Sequence, residues 1–132
     1  MRYLFDTNIP VSFFRGKATV IAKVNKVINK GAGMSMISLA ELYHGVNKST
    51  LLKKKVKEVD KFVKIVKLLV VDKTVVWEYG KLMAGLENKG IRLDGMDVLI
   101  AATAKANNLI ILTEDKKHFG RLTNFGIRVE TV

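Results

Sequence analysis

Asp6, Glu41, Asp97 and Asp115 are carboxylates placed where a doubly wound sheet would gather them. Asp6 follows the apolar run Tyr3-Leu4-Phe5, Glu41 follows Met34-Ser35-Met36-Ile37, and Asp115 follows Leu109-Ile110-Ile111-Leu112. Asp97 opens the helical segment that leads into the last of these runs. In an α/β fold with a parallel sheet, the strand ends line one edge, and ligands bind along it. Like charges collected there repel one another unless a cation joins them. Hard divalent ions suit such a site, because they take oxygen ligands and keep several waters. The rest of the chain is strongly basic, with 23 Lys and Arg against 12 Asp and Glu and a formal charge of +11. A cation site inside a basic protein points to a polyanion as substrate.

Each of these acids has a competing structural use. Ser38 with Glu41 has the spacing of a capping box, and Asp94 with Asp97 imitates one. Asp6 and Asp115 precede helical segments whose N-termini favour a carboxylate. Ser, Thr and Asn cap as well without repelling one another, so acids at all these junctions suggest a requirement for charge. Asn8, Ser38 and Thr113 stand beside the acids and are placed to orient the carboxylates or ion-bound waters. The reading without catalysis remains a basic RNA- or protein-binding module whose acids only cap helices.

The elements that must position these residues follow from periodicity. Arg2 to Phe5, Met34 to Ile37, Leu68 to Val71, Leu109 to Leu112 and Ile127 to Val129 read as short buried strands. Between them lie helical patterns: one from Pro10, then Lys17 to Lys30, Ser38 to Tyr43, Ser49 to Lys67, Lys73 to Lys89, Asp94 to Asn107 and Lys116 to Gly120. Gly31 and Gly33 read as the stop of the Lys17 helix, and Gly90 as a C-terminal stop. Strands alternating with helices predict an α/β architecture of three layers, a central, mainly parallel sheet with helices on both faces. The 132 residues predict a single domain over 1–132.

Composition excludes several classes. There is no cysteine, which removes disulfides, thiolate metal sites and thiol catalysis. Apolar stretches are too short to span a bilayer, and no secretory signal is visible, so a cytoplasmic protein without a membrane partner is expected. Lys53, Lys54, Lys55, Lys57, Lys61, Lys64 and Lys67 line one helical stretch, as an RNA-tracking or a solubilising face. Arg15, Lys17, Lys116, Lys117 and His118 neighbour the acidic segments and are candidate phosphate contacts. His44 lies three residues after Glu41 on nearly the same face, while Tyr43 and Trp77 fit a core or an interface.

Four segments together resemble a known family. They are Leu4-Phe5-Asp6-Thr7-Asn8-Ile9, then Ile37-Ser38-Leu39-Ala40-Glu41-Leu42-Tyr43-His44-Gly45-Val46, then Asp97-Val98-Leu99-Ile100-Ala101-Ala102-Thr103-Ala104, and Leu112-Thr113-Glu114-Asp115 with Phe119 behind it. In this order and spacing the chain resembles PIN-domain ribonucleases, and within them the VapC-like toxins of toxin–antitoxin pairs. The resemblance implies strand order 3-2-1-4-5 and a metal-dependent endoribonuclease. It maps the acidic site onto Asp6, Glu41, Asp97 and Asp115, and a family Thr or Ser onto Thr113. Glu114 competes with Asp115 for the fourth place, and Asp94 with Asp97, though Asp94 fits better as a cap. One or two Mg2+ ions, with Mn2+ as substitute, are implied as cofactor. RNA as substrate, a cognate antitoxin protein and a homodimer through apolar faces of the Leu39–Val66 helices are the implied partners.

Two other enzyme classes fit less well. A haloacid-dehalogenase-type phosphatase needs a second carboxylate two residues after the first, where this chain has Asn8. A receiver domain needs an acidic pair before its phosphoacceptor and a Lys after the last strand, and neither occurs in order.

Overall fold

The alternation of apolar residues in Tyr3-Leu4-Phe5 decides the architecture, because all three side chains are buried, on opposite faces of one strand. The computed structural model describes residues 1–132. Five parallel strands form one sheet in the order β3-β2-β1-β4-β5: β1 Tyr3–Phe5, β2 Ala32–Ser35, β3 Lys67–Leu69, β4 Ile110–Thr113 and β5 Arg128–Thr131. The helices are α1 Asn8–Phe14, α2 Ala18–Val27, α3 Met36–Lys48, α4 Leu52–Ile65, α5 Lys73–Asn88, α6 Gly95–Ala106 and α7 Lys116–Gly120. Short 3-10 turns at Ile28–Lys30 and Thr123–Phe125 follow α2 and α7. Strand order and three-layer class are those expected from the sequence.

Each face of the sheet has its own core. Leu4 and Ile111 pack with α5, α6 and Phe119 of α7. Tyr3, Phe5, Met34 and Leu112 pack with α1 to α4. Phe62 of α4 is the aromatic anchor of that second layer, with Phe5, Phe13 and Phe14 at 6.0, 5.5 and 5.7 Å between ring centres. It ties α1, and with it the segment after Asp6, to α4. No helix is long and apolar enough to cross a membrane.

Several element boundaries differ from the sequence reading. The second strand is Ala32–Ser35, not Met34 to Ile37, and the helix after it runs from Met36 to Lys48. Gly33 is therefore inside the strand and stops nothing. A Cβ there would meet Leu69 Cδ1 and Met1 Sδ at 3.0 Å, so a larger residue would have to displace those two side chains. Gly31 does turn the chain, at φ +84°, and its carbonyl accepts from Arg2 N–H at 3.0 Å. The fourth helix starts at Leu52, because Ser49 Oγ holds Leu51 N–H in a turn, and Val66 is already extended. The third strand accordingly begins at Lys67 and closes at Leu69.

Apolar residues expected to face a partner are largely consumed here. Leu39, Leu42, Val46, Val59 and Phe62 are buried within the single chain. Trp77 is 68% exposed, which removes it from the core.

Candidate active site

Register brings the site together. Phe5 lies level with Met34 and Leu112, so the next residues, Asp6, Ser35 and Thr113, emerge at the same edge. Asp6 N–H still bonds Leu112 C=O at 2.9 Å, which fixes the Asp6 backbone as a continuation of the ladder. Its side chain is 6% exposed and receives Thr7 N–H on Oδ1 and the Thr113 hydroxyl on Oδ2, both at 2.8 Å. Burial pushes the Asp6 carboxyl up to about 6, and the charges of Asp97 and Glu41 add to it. The hydrogen bonds from Thr113 and Thr7 pull it back only in part.

Ser35, not Ser38, caps the helix that carries Glu41. Ser35 Oγ accepts from Ile37 N–H at 3.1 Å, and the Ser38–Glu41 capping box expected from the sequence does not form. Ser38 and Glu41 lie instead within α3, three residues apart on one face. Thr7 Oγ1 meets both, at 3.0 Å from Ser38 Oγ and 2.6 Å from Glu41 Oε1. A single hydroxyl proton cannot serve two acceptors, so Thr7 donates to the carboxylate and Ser38 donates to Thr7. Ser35→Ala should thus cost about 0.5–2 kcal/mol through the lost cap. Ser38→Ala should cost less, since Thr7 keeps Glu41. Urea midpoints of the two variants check the order.

Asp97 sits in the first turn of α6, behind Asp94, which is the cap: Asp94 Oδ1 accepts from Met96 N–H at 2.8 Å. Asp97 Oδ2 lies 2.7 Å from His118 Nε2. Asp115 is exposed and caps α7, accepting His118 N–H on Oδ1 at 3.0 Å. The acids therefore divide. Asp94 and Asp115 are caps, whereas the Glu41 and Asp97 side chains bond no helix N-terminus and Asp6 receives from one only Thr7 N–H, at the start of α1.

Thr113 is the hub of the edge, fully buried. It donates to Asp6 and accepts from Asn8 Nδ2 at 3.3 Å and Asp115 N–H at 2.9 Å. Asn8 thus reaches the carboxylate only through Thr113, and its Oδ1 holds Glu114 N–H. Glu114 is turned away from the site to Ser12 and Lys17. Burial would raise its pKa, but bonds from Lys17 and Ser12 hold it below the ordinary carboxylate range. Lys17 is thereby engaged away from any phosphate. Arg15, Lys116 and Lys117 are exposed, and so is His44.

An open groove of about 420 Å³ runs between α1, α3 and α4. Thr7 and Glu41 line it together with Arg15, Lys48, Lys54 and Lys55. Glu41 therefore faces a groove that carries four basic residues and one further acid, Glu58. Two contributors were not legible in the spacing. Thr7 meets partners 31 and 34 positions away, and His118 was read as a phosphate contact. Their only local signal was adjacency to Asp6 and Asp115.

The donor set fits a hard divalent cation: it is all oxygen and partly buried, and the charges of Asp97 and Glu41 add to the burial that raises Asp6. The carboxylates are neighbours that are not yet gathered, since no three His, Asp or Glu side chains converge to grip an ion. Thr7 holds Glu41, and His118 holds Asp97.

A family model for the PIN domain matches residues 3–124. Ribonuclease VapC2 of Rickettsia felis is 32% identical, with 94% of each chain covered. The tRNA(fMet)-specific endonuclease VapC of Shigella flexneri is 29% identical over 98% of this chain and 97% of its own. Among solved structures, that of VapBC2 from Rickettsia felis bound to a promoter DNA fragment superposes with a TM-score of 0.92 at 28% identity, covering 100% of this chain and 99% of that one. Sequence and fold agree over nearly the full length, and the chain belongs to the PIN-domain family as a VapC-type ribonuclease.

Proposed function

We propose that this chain cuts RNA at Asp6, Glu41 and Asp97 with one or two Mg2+ or Mn2+ ions, as the toxin of a toxin–antitoxin pair. The observation that carries the reading is the Asp6 carboxylate, buried at the strand edge on Thr7 N–H and the Thr113 hydroxyl, with Asp97 and Glu41 close enough for their charges to act on it. A capping role asks for no such concentration of charge. When bound, a divalent ion supplies positive charge to the scissile phosphate and acidifies an attacking water. The chain's own groups do the positioning. Thr7 N–H and the Thr113 hydroxyl fix the plane of the Asp6 carboxylate, and the Thr7 hydroxyl fixes Glu41. Above pH 6 Asp6 is ionised and competent to bind a cation. Arg15, Lys48, Lys54 and Lys55 along the groove would take backbone phosphates flanking the cut.

A nuclease of this kind needs restraint, and the structural neighbour from Rickettsia felis is a VapBC complex. By that likeness the chain takes a cognate antitoxin, seated over the acidic edge with a basic side chain toward the carboxylates. A homodimer is proposed through apolar residues still exposed, Tyr43 of α3 with Val76 and Trp77 of α5.

The chemistry is tested by end-group analysis. Purified protein should cleave RNA in Mg2+ or Mn2+ and leave 5′-phosphate and 3′-hydroxyl ends. Cleavage that survives EDTA, or that yields 2′,3′-cyclic phosphate, would contradict the mechanism.

A further inference from the structure

Asp97 is the one carboxylate of the site whose partner comes from outside the strand-edge network. His118 Nε2 stands 2.7 Å from its Oδ2, with both side chains partly buried, at 34% and 25% exposure. An ionised carboxylate only accepts, so the nitrogen facing it carries the proton. That nitrogen is thereby unavailable as a ligand in this arrangement. The imidazole is also held firmly. Asp115 Oδ1 caps the helix at His118 N–H, Asp115 N–H is bonded by Thr113, and the ring packs edge-on to the buried Phe119 at 5.6 Å. Asp115 itself is exposed, and its Oδ1 is committed to the cap.

We propose that His118 is a positioning residue of the cation site: it holds one oxygen of Asp97 and leaves the other for the ion, while Asp115 acts one step behind by fixing the helix that carries His118. The site in this chain thus includes an imidazole beside its carboxylates. The proposal rests on the cation-site reading above. Groups that orient a ligating carboxylate commonly matter to metal affinity by about 10–100-fold.

The test is Mn2+ uptake by the whole protein, followed as loss of the free-ion electron paramagnetic resonance signal. His118→Ala should weaken uptake by about 10–100-fold, and His118→Gln, whose Nε2 can donate at the same reach, should recover most of it. Asp115→Asn keeps a good helix cap and should change Mn2+ affinity by less than about threefold. Asp6→Asn, run beside them, should lose uptake. Unchanged affinity in His118→Ala would overturn the proposal, as would a loss in His118→Gln equal to that in alanine. A loss in Asp115→Asn matching that in Asp6→Asn would show Asp115 to be a ligand and overturn it too. Wild-type protein that takes up no Mn2+ would overturn the cation site itself, and the proposal with it, so the two failures are distinguishable.

Discussion

Asp6→Asn should reduce RNA cleavage by at least about a thousandfold while leaving the protein close to wild-type stability at neutral pH. An ion bound at this site would supply several kcal/mol of transition-state stabilisation, and about 4 kcal/mol corresponds to that factor. Stability should behave differently because two effects oppose. The Asp6 carboxyl is raised from 3.8 to about 6 in the folded protein, mainly by burial. A raised acid binds its proton more tightly folded than unfolded. The folded state is therefore favoured at low pH, and stability falls as pH rises from roughly 4 to 6. The full cost above pH 6 is on the order of 3 kcal/mol. Asparagine removes that cost. It also sets an NH2 against the Thr113 hydroxyl, whose two lone pairs already receive Asn8 and Asp115. One lost bond costs about 1–3 kcal/mol. Urea midpoints, measured in EDTA, should cross: the mutant is weaker than wild type at pH 4 and equal or stronger at pH 7. Parallel pH profiles would show that Asp6 carries no buried charge.

Thr113→Val should be the most damaging conservative change at the site. Valine keeps the shape and deletes three hydrogen bonds at once, to Asp6 Oδ2, Asn8 Nδ2 and Asp115 N–H. The buried Asp6 oxygen left without its donor, together with the two other lost bonds, makes a cost of about 2–4 kcal/mol. Loss of the Thr113 donor also removes a contact that lowers the Asp6 pKa. The pH at which EDTA-treated protein stops losing stability should move upward. Thr113→Ser keeps the hydroxyl and should recover most of the loss. A valine variant with wild-type stability and an unshifted profile would show that Thr113 is a packing residue only.

How much of this was legible depends on the kind of signal. The three buried residues before Asp6 announced both strand and edge, because alternation along a strand is a local property. Asp94 declared itself as a cap through its position before an apolar helix, and the structure places it there. The start of α3 was misplaced because Ser35 and Ser38 both fit a cap, and Ser38 even has Glu41 at the right spacing. Pairing decides between them: Met34 lies opposite Phe5 and Ser35 opposite Leu69, the last residues of β1 and β3, so the strand has no neighbour along which to run on to Ile37. Once α3 begins at Met36, Ser38 and Glu41 turn toward Thr7. The Thr7 and His118 contacts join elements far apart in sequence, and no local period encodes them. The lysines of α4 are exposed, as either reading of that face required.

Whether these carboxylates hold a cation is tested by thermal unfolding in Mn2+, without recourse to catalysis. An ion that binds only the folded chain stabilises it by mass action, by about 2.7 kcal/mol at a hundredfold excess over Kd. Wild-type protein at pH 7.5 should show a Tm that climbs with Mn2+ and returns to its starting value in EDTA. Asp6→Asn should climb much less. The wild-type response should shrink below pH 6, where the Asp6 carboxyl holds a proton in the ion's place. A wild-type Tm indifferent to millimolar Mn2+, or an Asp6→Asn variant that responds equally, would contradict the cation site.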